Sequence, residues 1–461
     1  MSAIVCALLT AIGFYFSIGL GEQWWLAWLA PIPVLWFAFG ETKGWQTFLV
    51  AFVGFAVGST SVLRTYGSVM PLYVLGLIVC GPALLFAASV LGARRVSRAF
   101  GIFAGMFAFA LLWTGLDFLS SFNRAGGSVS TAAVSQVAVP MLMQTASLVS
   151  YIGVTFLLGA FSAGIAATLR TRDPRPAIIA VALFAANATF GYMRMSTPPS
   201  GTIHTALIES NDTIGARRGG DESITMKAID SYVAQIEKLR GQNAKLIVMP
   251  ENMALLGTGW RGDAEAKLAR AANDVGATLV AGFNTYLDGA QRNVSIGFTQ
   301  SALPVTYLKR RLVQGLETQD YTPGPGPAKL ANGVGLEICK DMDFQAMVRR
   351  DEVATKPILL AVPAWDFGSD DWSHARVAIM RSIENGVPMA RNGREGLLTL
   401  NDRYGRIVAR TRTTRAFQTL IGDLPLDGTG GNTIYDQIGD VFGWLCAVLG
   451  FALVGASLIR Q

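Results

Sequence analysis

Three stretches decide the fold of this chain: KLIVMPEN at residues 245–252, YLKRRLVQGLE at 307–317 and ICKDMDF at 338–344. A short, mainly apolar run lies in or directly before each stretch, at 245–249, 305–308 and 335–338, and such runs are typical of strands buried on both faces of a sheet. Each run is followed by a polar residue that can do chemistry, namely Glu251, Lys309 or Cys339. Because functional groups of α/β folds gather at the carboxyl ends of strands, we expect these side chains to lie close together.

The residues around these stretches predict an α/β domain over 200–430. Further apolar runs predict strands at 278–283 and 358–362. Helices are expected where apolar residues recur on one face, and where a glycine or a polar turn then ends the pattern. They lie around 229–239, at 264–275 and at 372–385. Buried strands that alternate with helices imply a layered α/β architecture.

The composition predicts a membrane protein. The chain has 461 residues, of which 51% are hydrophobic and 15% charged, whereas soluble proteins are about a quarter charged. Apolar runs near the roughly 20 residues that a spanning helix needs lie at 3–21, 24–40, 46–63, 70–92, 101–119, 143–168, 176–193 and 441–459. We therefore expect a multi-pass α-helical bundle of about eight spans. Seven helices lie in residues 1–199, the α/β domain in 200–430 and a last helix in 431–461.

The arginines predict the orientation of these spans. They cluster after the fourth run and after the sixth, at Arg94, Arg95, Arg98, Arg170, Arg172 and Arg175. The positive-inside rule then puts these loops and both termini in the cytoplasm. The α/β domain is then expected on the extracytoplasmic side of the membrane. This distribution also explains the net charge of +6 without nucleic acid as a partner.

The residue types favour covalent catalysis by a thiol. Cys339 is the one cysteine of the α/β domain, and a nearby cation such as Lys309 would lower its pKa and later stabilise an oxyanion. Glu251 would take the thiol proton and return it to the leaving group. A thioester on Cys339 would form and be resolved by a second nucleophile. A dyad with His374 is the weaker alternative, because His374 is interpreted as structural.

No metal or organic cofactor is expected. Neither a zinc-type spacing of Cys and His nor an EF-hand loop occurs in the sequence. Arg391 and Arg394 could bind a lipid phosphate, but we interpret them as ordinary solvated charges.

The order of Glu, Lys and Cys, with these flanks, resembles the nitrilase (carbon–nitrogen hydrolase) superfamily. Glu317 matches the second acid of that superfamily's Lys motif, with an implied role in orienting the lysine or assisting proton transfer. The tract PAWDFGSDDWSHARVAIMRSIENGVPMAR at 363–391 resembles the segment that follows the nucleophile. The resemblance implies an αββα sandwich. The substrate-binding residues that we predict are Trp365, Lys340 and Asp341.

Seven spans, a nitrilase-like domain and an eighth span resemble the layout of the apolipoprotein N-acyltransferase family. The run WWLAWLAPIPVLW at 24–36 is similar to an early membrane segment of that family. The resemblance implies a ping-pong reaction between two lipid substrates. An acyl chain would pass from the sn-1 position of a phospholipid to Cys339, and then to the α-amine of a lipoprotein's diacylglyceryl-cysteine.

Two departures from the family pattern keep other functions open. The Lys motif reads RLVQGLE at 311–317 where the family usually has HLVPFGE, and the segment between Glu317 and Cys339 is short, with TPGPGP at 322–327. The alternative is a membrane-tethered amidase that uses water as the acceptor. A channel, transporter or scaffold is a third hypothesis, although the spans carry few ionisable residues besides Asp117.

Overall fold

The computed structural model describes residues 1–67, 70–123, 125–211, 221–300, 302–368 and 370–460. The chain divides into two compact units. A helical unit comprises Met1–Thr197 and Gln437–Gln461, and an α/β unit comprises Pro198–Asp436.

The amino-terminal part of the helical unit contains helices of very different lengths. They are α1 (Ala3–Ser17), α2 (Leu26–Leu29), α3 (Ile32–Ala38), α4 (Gly44–Gly58), α5 (Leu63–Tyr66), α6 (Leu72–Phe100), α7 (Ile102–Ser120), α8 (Pro140–Met143), α9 (Ala146–Val149), α10 (Tyr151–Thr171) and α11 (Arg175–Met195). Aromatic rings form part of the core of this unit. The ring centroids of Phe14 and Phe55 are 4.6 Å apart, and those of Phe86 and Trp113 are 5.5 Å apart. Ring pairs at these separations add favourable contacts beyond the burial of their area.

The α/β unit contains β1 (Gly201–Glu209), α12 (Glu222–Glu237), β2 (Leu246–Val248), β3 (Ala254–Leu256), α13 (Arg261–Val275), β4 (Thr278–Leu287), β5 (Ala290–Phe298), β6 (Val305–Leu308), β7 (Ala328–Lys329), β8 (Val334–Leu336), α14 (Gln345–Thr355), β9 (Leu359–Trp365), α15 (Asp371–Asn385), β10 (Met389–Arg394), β11 (Leu397–Asn401), β12 (Ile407–Arg412) and β13 (Gln418–Leu426). The chain ends with α16 (Ile434–Ile438) and α17 (Val441–Ile459). The predicted α/β class is confirmed. Each strand and helix expected in the α/β domain is present, although α12 begins at Glu222, before the expected start near 229.

The predicted count of eight spans is not confirmed. Among the described residues, six helical segments are long and apolar enough to cross a membrane: Gly44–Tyr66, Leu72–Phe100, Ile102–Ser120, Tyr151–Thr171, Arg175–Met195 and Val441–Ile459. The first two predicted spans are shorter helices, Ala3–Ser17 and Leu26–Ala38. A 15-residue helix is roughly 22 Å long, less than the roughly 30 Å of a bilayer's hydrocarbon core. The helix predicted at 143–168 begins at Tyr151 instead, because Ser150 has a φ of 65° that interrupts the helix.

Two sheets form the centre of the α/β unit. In the described residues the first has the order β13-β1-β2-β4-β5-β6, with β3 also paired to β4, and the second has the order β12-β11-β10-β9-β8-β7. The neighbours β1, β2 and β4 are parallel, and so are β8, β9 and β10. Parallel pairs bring the carboxyl ends of consecutive strands to one edge of each sheet, where polar residues can meet.

Alternation along the strands produces a layered sandwich. Leu207 and Val248 of the first sheet share a core with Leu336 and Leu359 of the second, so the sheets face each other. Neighbouring residues of the first sheet point away from that core and pack with α12 and α13. The outward residues of β9 and β10 pack with residues of α14 and α15. This arrangement buries the strands on both faces, which explains their continuous apolar runs.

Candidate active site

Glu251 lies in a tight turn directly after β2. Its neighbour Asn252 has a φ of 53°, and the Gly282 amide of β4 donates to the Pro250 carbonyl over 3.0 Å. A side chain at Gly282 would place its Cβ 2.6 Å from the Cα of Glu251. Gly282 therefore lets the turn press against β4, and Glu251 becomes a buried carboxylate with 2% of its surface exposed.

Lys309 follows β6 and lies between two carboxylates. Its Nζ is 2.7 Å from Glu251 Oε1 and 2.8 Å from Glu317 Oε1. Burial by itself lowers the pKa of Lys309, but the two carboxylates outweigh it and raise the pKa well above its ordinary value. The ammonium is therefore charged at neutral pH, and it has three N–H groups to donate.

Glu317 is held by its own loop. Its Oε2 accepts a hydrogen bond of 2.8 Å from the Val313 amide. Burial raises the pKa of Glu317, but Lys309 outweighs this effect, so the pKa lies below its ordinary value. Glu317 is thus an ionised carboxylate that keeps the Lys309 ammonium charged and oriented.

Cys339 stands at a strained turn beyond β8. Its φ is 41°, which is uncommon for a residue other than glycine and costs about 1–3 kcal/mol. Its Sγ lies 3.5 Å from the Trp365 carbonyl oxygen and donates to it. Such strain at a nucleophile is consistent with a turn whose conformation is fixed by its surroundings.

The charges around Cys339 act in opposite directions. Burial raises the pKa of the Cys339 thiol well above its ordinary value, and Glu251 raises it further, while Lys309 and Arg391 lower it. Lys309 lowers the thiol pKa as expected, but burial and Glu251 raise that pKa by more. The thiol is therefore protonated at rest, and its attack on a carbonyl requires a base.

The second carboxylate oxygen of Glu251 is available for that role. Within the described part of the chain, Glu251 Oε2 is buried and has no hydrogen-bond partner, whereas Oε1 binds Lys309. An acceptor without a partner in a buried site is costly and is suited to receive a proton.

Comparisons with known proteins identify relatives of this chain. The family model described as the apolipoprotein N-acyltransferase N-terminal domain matches residues 7–164. An apolipoprotein N-acyltransferase of Geobacter metallireducens is 25% identical over an alignment of 512 positions, which covers 100% of this chain and 95% of the relative. One of Pseudomonas aeruginosa is 25% identical and covers 92% of this chain and 89% of the relative. The resemblance to apolipoprotein N-acyltransferases is confirmed. Among solved structures, the chain is similar to an amidase from Nesterenkonia sp., with 20% identity, a TM-score of 0.42, and coverage of 52% of this chain and 93% of the amidase.

Asn293 of β5 belongs to the candidate site but was not predicted, because it lies outside the motifs that resemble apolipoprotein N-acyltransferases. Its Nδ2 donates to Glu251 Oε1 over 2.6 Å and to Glu317 Oε1 over 3.0 Å. It therefore shares both acceptor oxygens with Lys309 and fixes their separation. Strand β5 also carries the polar residues Gln291, Arg292 and Ser295, so neither its pattern nor a motif distinguishes Asn293.

The predicted substrate-binding residues lie around Cys339 in different environments. Trp365 ends β9, and its indole Nε1 donates to Glu395 Oε2 over 2.7 Å. Lys340 is half-buried, with its Nζ 3.1 Å from Asp343 Oδ2. Asp341 is buried and accepts from the amide of Arg311 over 2.7 Å. Their role in substrate binding stays a prediction.

The two downstream arginines are buried, so the interpretation as solvated charges is wrong. Arg391 pairs with Asp366, and Arg394 donates to the Asn252 carbonyl over 3.0 Å. Buried guanidinium groups are stable only when they are paired. These pairs therefore support the strand ends around the candidate site.

His374 pairs with Asp370. Its Nε2 is 2.9 Å from Asp370 Oδ2, and although burial lowers its pKa, Asp370 outweighs this effect and raises the pKa to about 9. Among the described residues, no group of three or more His, Cys, Asp or Glu side chains could hold a metal ion.

Proposed function

We propose that this chain is an N-acyltransferase of lipoprotein maturation that transfers a phospholipid acyl chain through a thioester on Cys339. The observation that carries the proposal is the Lys309 ammonium, which binds both Glu251 and Glu317 and lies in the electrostatic surroundings of the Cys339 thiol. Similarity to relatives with that activity in their names extends over the whole chain. The two together favour acyl transfer over a purely structural role.

In the first half-reaction Glu251 takes the Cys339 proton as Sγ attacks the ester carbonyl of the donor. The carbonyl oxygen becomes an oxyanion, which the third N–H of Lys309 stabilises because the other two bind Glu251 and Glu317. The tetrahedral intermediate then breaks its bond to the alcohol oxygen. Glu251 returns the proton to that oxygen, and a lysophospholipid leaves behind a thioester.

In the second half-reaction the α-amine of a diacylglyceryl-cysteine attacks the thioester carbonyl. Glu251 accepts a proton from the amine, and Lys309 again stabilises the oxyanion. The carbon–sulfur bond breaks, the proton passes to Sγ and an amide forms. Neither half-reaction needs an oxidant, reductant or metal.

The α/β unit is proposed to lie on the extracytoplasmic side of the inner membrane. Arg94, Arg95 and Arg98 lie near the carboxyl end of α6, and Arg170, Arg172 and Arg175 border the turn between α10 and α11, as the positive-inside rule requires of cytoplasmic loops. The two short amino-terminal helices do not alter this orientation. Whether both cross or neither crosses, the number of crossings before β1 stays odd.

The proposal is tested by incubating the purified protein with phospholipid and measuring the mass of the Cys339 peptide. An acyl adduct that persists until a diacylglyceryl-cysteine peptide is added is the expected result. The variant Cys446→Ala is the matched control and should form the same adduct, whereas Cys339→Ala should form none. A native protein without any acyl adduct would contradict the proposal.

A membrane-tethered amidase is the second candidate, favoured by the short segment after Glu317. The tract 322–327 lies close to β6 there, because Gly324 packs against Leu308 and its amide donates to the Lys309 carbonyl over 2.9 Å. The same incubation separates the two functions. Rapid release of free fatty acid, with no dependence on an added amine, would identify water as the acceptor.

A further inference from the structure

Cys339 is flanked by two buried acids that reach the same hydroxyl group. Glu337 lies two residues before it and Asp341 two residues after it, and each places a carboxylate oxygen 2.8 Å from the Tyr307 hydroxyl. Tyr307 belongs to β6 of the first sheet, two residues before Lys309, while Glu337 follows β8 of the second sheet. One hydroxyl thus joins the strand of the lysine to the turn of the thiol.

A count of hydrogens shows that these three groups share a further proton. A tyrosine hydroxyl has a single hydrogen and cannot donate to both carboxylates. The Arg310 Nε donates to the same oxygen over 3.1 Å and therefore adds nothing between that oxygen and either acid. With both acids ionised, one contact of 2.8 Å would join two oxygens with no hydrogen between them. One carboxyl must therefore be protonated and donate to Tyr307.

The surroundings indicate which acid holds the proton. Asp341 Oδ1 accepts from the backbone amides of Arg310, over 3.2 Å, and Arg311, over 2.7 Å, and such bonds favour the ionised form. Glu337 Oε1 faces the Arg310 guanidinium at 3.4 Å, and that guanidinium pairs more closely with Asp351. Burial raises the pKa of Glu337 well above its ordinary value and that of Asp341 to about 6.

We propose that Glu337, Tyr307 and Asp341 form a hydrogen-bonded clamp with one shared proton, held on Glu337, which fixes the turn of Cys339 beside Lys309. The proton runs from Glu337 to the Tyr307 oxygen, and the Tyr307 hydrogen to Asp341. The left-handed backbone of Cys339 requires such a clamp, because a strained conformation persists only where the surrounding contacts hold it in place. Glu337 is thus a positioning residue, and this inference rests on the proposed role of Cys339 as nucleophile.

The test compares two substitutions of equal size, Glu337→Gln and Asp341→Asn. The readout is the rate of Cys339 alkylation by iodoacetamide, measured on the Cys339 peptide by mass spectrometry, together with the Tm in detergent. The amide of Glu337→Gln donates to Tyr307 as the protonated acid does, so its alkylation rate should stay within about twofold of the native rate. Asp341→Asn forces Tyr307 to donate to an ionised Glu337, so its rate should change by about tenfold or more and its Tm should fall.

Three further results decide the inference. Glu337→Leu should behave like Asp341→Asn, which makes Glu337→Gln a rescue by the conservative variant. In a Tyr307→Phe background the difference between Glu337→Gln and Asp341→Asn should vanish, since the shared hydroxyl is gone. Equal effects of the two amide substitutions in the native background, or a larger effect of Glu337→Gln, would overturn the proposal. Alkylation needs no acyl donor, so a protein that shows the expected pattern but transfers no acyl chain would refute only the proposed function.

Discussion

At the scale of single residues, Lys309 is buried between two carboxylates, so its removal leaves more than a missing cation. We expect Lys309→Met to reduce acyl transfer by about 10²–10³-fold, the loss typical of an oxyanion-stabilising donor. The variant should also unfold more easily, because breaking a buried ion pair costs about 3–5 kcal/mol. Transfer rates and Tm are the measurements. Lys245→Met, which changes an exposed lysine before β2, is the control, and equal transfer by both variants would contradict the role of Lys309.

Glu209, at the end of β1, makes stability depend on pH. Its side chain is fully buried and burial raises its pKa to about 8, although Arg394 lies 3.8 Å away and lowers it. Between the ordinary pKa of 4.5 and about 8, the folded state binds more protons than the unfolded state, so stability falls as pH rises.

Glu209→Gln imitates the protonated acid and should remove that dependence. Its Tm should exceed the native Tm by more at about pH 9 than at about pH 5.5, because the native carboxyl ionises in that interval. Glu237→Gln, which changes an exposed acid at the end of α12, should show no such difference. A constant offset between the Glu209→Gln and native curves would contradict the assigned cause.

At the scale of elements, the turn after β2 depends on the absence of a side chain in β4. Gly282→Ala would place a Cβ against the backbone of Glu251, and overpacking of this kind costs about 1–3 kcal/mol. We expect a lower Tm and slower acyl transfer, because the carboxylate moves away from Lys309. Gly201→Ala, at a strand position with open space, is the control. Unchanged transfer by Gly282→Ala would show that the turn tolerates displacement.

The elements that the sequence predicted are those with continuous apolar runs. Strands β2, β4, β6, β8 and β9 belong to this class, and the predicted site residues follow three of them. Strand β10 was not predicted because it carries polar residues that are nevertheless fully buried. Asn392 explains this burial, since its Nδ2 donates to the carbonyls of Ile208 and Val248 of the facing sheet. Such pairings join residues far apart in the chain, as do those of Asn293 and Tyr307, and no local pattern reveals them.

At the scale of the whole molecule, the number of spans was harder to predict than their presence. Hydropathy identifies apolar runs, but Pro31 separates α2 from α3, and Ser150 sets the start of α10. At these two places the apolar run is longer than the helix that it forms. The charge distribution is less sensitive to this error, because it depends on which loops carry arginine.

The proposed orientation can be measured with single cysteines in a background that lacks the native ones. Gln242→Cys lies on the exposed surface of the α/β unit, and Thr171→Cys lies at the arginine-rich end of α10. In intact cells a membrane-impermeant maleimide should label residue 242 and should label residue 171 only after permeabilisation, because the positive-inside rule places the latter in the cytoplasm. The reverse pattern would place the α/β unit in the cytoplasm.

The protonated resting state of Cys339 has a consequence for durability. Peroxides and other oxidants attack thiolates far more readily than thiols, and sulfinic or sulfonic acids formed from cysteine are effectively irreversible. In the proposed mechanism Cys339 loses its proton only while it attacks a carbonyl, so the thiol avoids that damage between turnovers. The burial that raises the thiol pKa and makes a general base necessary therefore acts as a chemical shield, which is valuable for the one cysteine of the α/β domain in the extracytoplasmic position that we propose.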